Sequence, residues 1–87
     1  MNDKNEREQH VVIEAIQKDV RKKTVERLLS IRKSLNMTQT DVAEITGLSC
    51  SNICRLEKGK CNFSLDMLVL IANAMDCDID IQFIKRK

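Results

Sequence analysis

The chain has 87 residues and no Pro-, Gly- or Ser-rich linker, so we expect one small domain with a thin core. Only two residues are aromatic, which leaves leucine, isoleucine, valine, alanine and methionine to build that core. The net charge of +2 is too small to indicate a nucleic-acid or membrane partner by itself.

No part of the sequence is apolar for long enough to span a membrane. The longest uninterrupted apolar run is Met67 to Ala72, whereas a bilayer span needs roughly 20 residues. The first ten residues are polar and mixed in charge, unlike a secretory signal. We therefore expect a cytoplasmic protein whose four cysteines are reduced thiols, with no membrane partner.

Two stretches near the N-terminus have helical periodicity. Between residues 10 and 21 one apolar stripe recurs at helical spacing, and its members are Val12, Ile13, Ile16 and Val20. A similar pattern runs from Thr24 to Leu35. The sequence leaves open whether the two helices are continuous or break near Lys23.

Three later helix starts share one local signal: an apolar residue, a hydroxyl residue, and another apolar residue four positions after the hydroxyl. The hydroxyl accepts a hydrogen bond from an amide of the first helical turn, and the apolar pair closes over it. The signal occurs at Thr38, Ser49 and Ser64. It predicts helices over about 38–46, 49–57 and 64–75. Thr38 and Asp41 also match a capping box.

The first two of these helices are joined by a very short turn that contains Gly47. Glycine adopts the left-handed conformation that ends a helix without steric cost. Two helices joined so closely cannot lie antiparallel and must cross steeply. This geometry is that of a helix-turn-helix.

The C-terminal residues change to a period of two. From Asp78 to Ile84, the apolar residues Ile79, Ile81 and Phe83 alternate with polar ones, which predicts a β-strand with one apolar face. The chain offers no second strand to pair with it. We therefore expect this strand to pair with the same strand of a second copy across a two-fold axis.

The helix that starts at Ser49 has one apolar and one polar face. At about 100° per residue, Ile53 and Leu56 point toward the core. The opposite face carries Ser51, Cys54 and Arg55, with Cys50 at its edge. Small side chains allow a helix to approach another surface closely, and an arginine can donate two hydrogen bonds to a guanine edge in the major groove.

The segment MTQTDVAEITGLSCSNICRLEKGK, followed by SLDMLVLIANAMD, resembles the helix-turn-helix domain of phage repressors and of the wider Xre-type regulators. The resemblance covers about Thr24 to Asp76. The residues that carry it are Gln39, Ala43, Gly47, Ile53, Leu56, Glu57 and Gly59. It implies a mostly α-helical bundle that binds double-stranded DNA.

The resemblance also implies a role for each matching position. Residues expected to face base edges are Cys50, Ser51 and Arg55. Those expected to contact the DNA backbone are Asn52, Lys58 and Lys60. Gln39 would bind a phosphate or brace the recognition helix. Arg32 and Glu57 stand where the family has an ion pair, and we assign them to structure.

Two features depart from phage repressors. The predicted strand replaces their fifth helix, and a further helix from about Gln9 precedes the domain. This architecture is similar to that of antitoxins from toxin-antitoxin operons, so an alternative function is to bind a toxin and autoregulate the operon. The expected domain organisation is an N-terminal helical segment over 1–23, a DNA-binding domain over 24–76, and a dimerisation strand with a basic tail over 77–87.

The four cysteines and the lone histidine suggest other chemistry only weakly. Structural zinc needs four Cys or His ligands, and beyond Cys50 and Cys54 no paired spacing remains, so we expect no metal and no cofactor. Four free thiols are the simple interpretation. Oxidation of a thiol on the DNA face is an alternative that would block the groove. With one histidine, no nearby nucleophile and no phosphate loop, no enzyme is indicated.

The sequence thus predicts a homodimeric repressor that binds a pseudo-palindromic operator, with two recognition helices about 34 Å apart. The apolar stripe of the N-terminal helix must also be buried. Packing on its own domain, packing across the dimer, and docking of a toxin all remain open.

Overall fold

The computed structural model describes the backbone of residues 3–87 and the side chains of residues 10–87. Its secondary structure is helical. The four helices are α1 (Asp3–Ser34), α2 (Gln39–Thr46), α3 (Cys50–Glu57) and α4 (Leu65–Ala74). The bounds of the last three confirm the helices predicted from their start signals.

Helix α1 is continuous through the region around Lys23 that the sequence left open. The helix has 32 residues and contains no glycine or proline. The hydroxyl of Thr24 donates to the carbonyl of Val20 at 2.7 Å, so it bonds backward within the helix instead of capping a new one. A helix of this length extends about 48 Å, close to the 50 Å long dimension of the molecule.

Each of the three predicted N-caps accepts the expected hydrogen bond. Ser49 Oγ accepts from the amide of Asn52 at 3.1 Å, and Ser64 Oγ accepts from that of Met67 at 3.1 Å. Thr38 Oγ1 accepts from the amide of Asp41 at 3.0 Å, while the Asp41 carboxylate accepts from the Thr38 amide at 2.8 Å. The predicted capping box is therefore present.

Gly47 ends α2 in the left-handed conformation, with φ of 77°. Its amide donates to the carbonyl of Ala43 at 2.9 Å, which satisfies one of the last carbonyls of α2. The chain then turns at Leu48 and enters α3 through the Ser49 cap. The glycine is what allows two eight-residue helices to follow each other so closely.

The core lies where the C-terminal half of α1 meets the three short helices. Its fully buried side chains are Val42, Ile53, Leu56 and Ile71. Val25 and Leu28 of α1 complete it on one side, and Leu68 and Met75 on the other. Helix α3 packs against α1 and α2, and α2 also packs against α4. Helix α3 is thus held on two sides by the body of the domain.

The prediction of a C-terminal strand is wrong for the chain as described. Residues 3–87 contain no strand, and the segment after α4 has no regular secondary structure. The side chains of Ile79, Ile81 and Phe83 are 39%, 52% and 97% exposed. A strand requires a neighbour that exchanges backbone hydrogen bonds, and one chain provides none. Pairing with a second copy stays a prediction.

Within residues 3–87, none of the helices combines the length and the apolar character that a membrane span needs.

Candidate nucleic-acid interface

Helix α3 presents one face to solvent and buries the other. Ile53 and Leu56 are 1% and 0% exposed, as expected for its core face. The residues predicted to contact DNA from α3 are all exposed, and they are Cys50, Ser51, Asn52 and Arg55. Cys54, which the sequence placed on the exposed face, is half-buried. The outward face is therefore narrower than predicted, and it runs from the first turn of the helix to Arg55 in the last turn.

A buried ion pair fixes α3 to α1. Arg32 Nε donates to Glu57 Oε2 at 2.7 Å, and Arg32 Nη2 donates to Glu57 Oε1 at 2.9 Å. The two side chains are 12% and 4% exposed. A bidentate arginine–carboxylate pair restricts both distance and orientation. The contact joins the third-last residue of α1 to the last residue of α3.

Two further hydrogen bonds extend this ion pair. Arg32 Nη1 donates to the carbonyl of Met37 at 2.8 Å, in the connection between α1 and α2. Gln39 Nε2 donates to Glu57 Oε1 at 2.9 Å. Among the described residues, no buried side-chain nitrogen or oxygen lacks a partner. The Glu57 carboxylate thus links three helices and fixes the orientation of α3 against α1 and α2.

Gln39 was expected either to bind a phosphate or to brace the recognition helix. Its amide braces α3 through the hydrogen bond to Glu57. The Nε2 atom carries two hydrogens, and this bond uses one of them. The side chain is half-buried, at the point where α2 and α3 meet.

Thr40 belongs to the same surface and was not singled out from the sequence. It is exposed, and its Oγ1 lies 3.9 Å from Cys50 Sγ, which brings the second residue of α2 beside the first residue of α3. The sequence feature that could have identified Thr40 is its position directly after Gln39, in the first turn of α2. The candidate interface therefore includes a hydroxyl from α2 as well as the exposed face of α3.

The two lysines predicted to contact phosphates lie beyond the C-terminal end of α3. Lys58 caps the helix and Lys60 follows Gly59, whose φ is 69°. The amide of Lys60 donates to the carbonyl of Arg55 at 3.0 Å, which closes the helix end. Both lysines are exposed. Lys58 lies about 12 Å along the helix from Cys50, given a rise of about 1.5 Å per residue.

No metal centre is formed in the part of the chain whose side chains are described. Residues 10–87 contain no group of three His, Cys, Asp or Glu side chains that could hold an ion. The four cysteines are free thiols; Cys50 is exposed, and Cys54, Cys61 and Cys77 are half-buried.

A family model described as helix-turn-helix matches residues 28–82, which is more than half of the chain. The chain belongs to the Xre-like helix-turn-helix family. Domains of this family bind DNA, so the Xre-like chain is a DNA-binding transcription regulator. No curated protein and no solved structure matches it significantly. Most of α1 lies outside the matched Xre-like region, which begins at Leu28.

Proposed function

We propose that the protein is a cytoplasmic repressor that binds a pseudo-palindromic operator as a homodimer, with α3 of each copy in a major groove. The observation that carries this proposal is the fixed orientation of α3. Its outward face bears small polar residues and one arginine, while the Arg32–Glu57 pair holds the helix from behind. A rigid support of this kind keeps base-reading side chains in register.

In this proposal, the bases are read by Arg55, Ser51 and Cys50. The Arg55 guanidinium donates two hydrogen bonds to the edge of a guanine, which is the commonest specific contact in the major groove. Ser51 donates or accepts a hydrogen bond, and the Cys50 thiol contacts an apolar base edge such as a thymine methyl. The small size of Cys50 and Ser51 lets the helix backbone enter deeply.

The phosphates on either side of the groove are contacted by Gln39, Asn52, Lys58 and Lys60. Gln39 uses the amide hydrogen that Glu57 does not take. The two lysines neutralise phosphates and release counterions, which makes affinity dependent on salt. Such contacts position the domain, whereas base contacts select the sequence.

Dimerisation supplies a second α3 helix to read the second half-site of the operator. The eight residues of α3 span about 12 Å and reach only a few base pairs. Two copies related by a two-fold axis read two half-sites about one helical turn apart. We assign DNA binding to residues 24–76. The flanking segments are the two candidate sites of self-association: residues 1–23, and residues 77–87 with Ile79, Ile81 and Phe83.

Selection from a pool of random DNA duplexes at physiological salt, followed by sequencing of the retained duplexes, tests this function. We expect a two-fold symmetric motif whose half-sites lie about one turn apart. A motif without symmetry would exclude the dimeric mode of binding. Retention without any motif would exclude sequence-specific recognition.

A second candidate function is that of an antitoxin. The observation that favours it is the exposed apolar stripe of α1, since amphipathic helices often serve as docking surfaces for proteins. In that case the chain holds a toxin and regulates its own operon. A toxin-sized reading frame beside the gene, whose product co-purifies with this chain, would support it.

A further inference from the structure

The N-terminal half of α1 carries an apolar stripe that its own domain leaves open. All residues from 10 to 20 are exposed. The stripe consists of Val12, Ile13, Ile16 and Val20, with exposed fractions of 56%, 51%, 41% and 57%. Only its C-terminal end approaches the body, in a shallow groove that Ile16 and Val20 form with Phe63.

The stripe lies on a different face of α1 from the core residues. At about 100° per residue, Val20 is rotated by about 80° from Leu28 and by about 140° from Val25. The helix therefore buries Val25 and Leu28 in the core while turning the stripe away from it. A partner can cover the stripe without displacing any core contact.

We propose that this stripe, defined by Val12, Ile13, Ile16 and Val20, pairs antiparallel with the same stripe of a second copy. The proposal deepens the proposed function, because it rests on the homodimer and names its interface. A two-fold axis makes one surface complementary to itself, so a single stripe per chain is sufficient. Aliphatic side chains at i, i+3 and i+7, as at Ile13, Ile16 and Val20, suit helix-on-helix packing.

The distribution of charge along α1 favours the antiparallel orientation. In the sequence, residues 3–14 include four acidic and two basic residues, whereas residues 15–23 include four basic residues and one acidic residue. Antiparallel pairing sets the acidic part of one helix beside the basic part of the other, and it opposes the two helix dipoles. Parallel pairing would set like charges beside each other, which is destabilising.

The length of the helix fits the spacing of an operator. Ile16, near the centre of the stripe, precedes Leu28, where α1 enters the core, by twelve residues. This corresponds to about 18 Å along the helix axis. A two-fold axis at Ile16 therefore places the two Leu28 residues, where each α1 enters its core, about 36 Å apart, which is compatible with half-sites separated by one turn of DNA, about 34–36 Å.

Sedimentation velocity of the full-length chain without DNA tests the interface. We expect the wild type to sediment as a dimer, and Ile13→Glu or Ile16→Glu to raise the dimer dissociation constant at least about tenfold. Val11→Glu is the matched control, since Val11 is 64% exposed on the same helix but lies off the stripe. We expect it to stay dimeric. Circular dichroism and thermal melting establish that each variant is folded.

Three results would overturn the proposal: a monomeric wild type, dimers of equal strength for Ile13→Glu and Val11→Glu, or a dimer formed only with the product of a neighbouring gene. Ile81→Pro tests the rival interface, which is strand pairing between the C-terminal segments of two copies, because proline prevents strand pairing. We expect this variant to stay dimeric; a monomeric Ile81→Pro with a dimeric Ile13→Glu would move the interface to the C-terminal segment.

The orientation and the DNA function are tested separately. A pyrene attached to the N-terminal amine gives excimer emission if the helices pair in parallel, and we expect none; a strong excimer would overturn the antiparallel orientation. If Ile13→Glu loses the dimer and the wild type selects no DNA motif, the interface is supported and the operator function is rejected. A persistent Ile13→Glu dimer that selects a symmetric motif would reject the interface alone.

Discussion

The side-chain amide of Gln39 donates a hydrogen bond of 2.9 Å to the carboxylate of Glu57, joining the first residue of α2 to the last residue of α3. The same carboxylate accepts two hydrogen bonds from Arg32. One buried acid therefore determines how α3 is oriented against both α1 and α2. The orientation of α3 therefore depends on a charged group that lies behind its exposed face.

Removing this acid should destabilise the fold. Glu57→Ala leaves the Arg32 guanidinium largely buried and unpaired, so we expect a loss of about 3–5 kcal/mol in the free energy of unfolding. The double variant Arg32→Met/Glu57→Met should lose less, because no uncompensated charge remains. Urea unfolding measures both. Glu44→Ala, at an exposed site, serves as the control and should change stability by less than about 0.5 kcal/mol. If Glu57→Ala also changes the free energy of unfolding by less than about 0.5 kcal/mol, the ion pair has no structural role.

Arg55→Ala should weaken binding at the selected operator by about 1–3 kcal/mol and relax the preference for one base pair in each half-site. Repeating the selection with this variant measures both effects. Arg27→Ala, an exposed arginine on α1, is the matched control and should keep the preference. An equal loss on every sequence would remove Arg55 from base reading.

Lys60→Ala should weaken binding to all duplexes alike. The loss of one phosphate contact per copy reduces the slope of log affinity against log salt by about one unit for each half-site. Fluorescence anisotropy on a single half-site, from low to physiological salt, gives this slope. Lys18→Ala removes the same charge from the exposed half of α1 and should leave the slope unchanged. A slope that does not change in Lys60→Ala would exclude the contact.

Stability at acid pH should report on the capping box. Hydrogen bonds from Thr38 hold the pKa of the Asp41 carboxyl below its ordinary value of 3.8. The pKa of Asp41 is lower in the folded state than in the unfolded state. Its contribution to the free energy of unfolding is therefore complete above about pH 4. It is lost as the pH falls through the folded pKa. The difference in Tm between the wild type and Asp41→Ala should therefore shrink as the pH drops below that range. A difference that stays constant down to pH 2 would contradict this explanation.

Alkylation of Cys50 should block DNA binding. Cys50 is exposed at the start of α3, whereas the other three cysteines are half-buried and should react more slowly. A maleimide adds bulk where the helix must approach the bases. Limited labelling followed by anisotropy measures the effect, and Cys50→Ser should bind DNA and resist the reagent. Full binding by protein labelled at Cys50 would place that residue outside the interface.

The parts of the fold that were predicted from the sequence depend on local chemistry. Thr38, Ser49 and Ser64 marked three helix starts because an N-cap bond involves residues only three apart in sequence. The break between α2 and α3 followed from Gly47 for the same reason. Such signals involve few residues and are independent of the tertiary fold.

Features that depend on distant partners were predicted poorly. The alternation of Ile79, Ile81 and Phe83 shows which side chains share a face, but a strand also needs a neighbouring backbone. The partial burial of Cys54 depends on packing against other helices. The bond between Gln39 and Glu57 spans 18 positions, and no local pattern predicts it.

The most direct test of DNA reading by α3 is a double-mutant cycle between Arg55 and one guanine of the selected operator. Replacing that guanine by 7-deazaguanine removes the N7 acceptor and leaves base pairing intact. We expect the wild type to lose about 1–3 kcal/mol of binding free energy on the modified duplex, and Arg55→Ala to lose almost nothing further. Equal losses for the two proteins at every guanine of the half-site would contradict direct readout of guanine by Arg55 of α3.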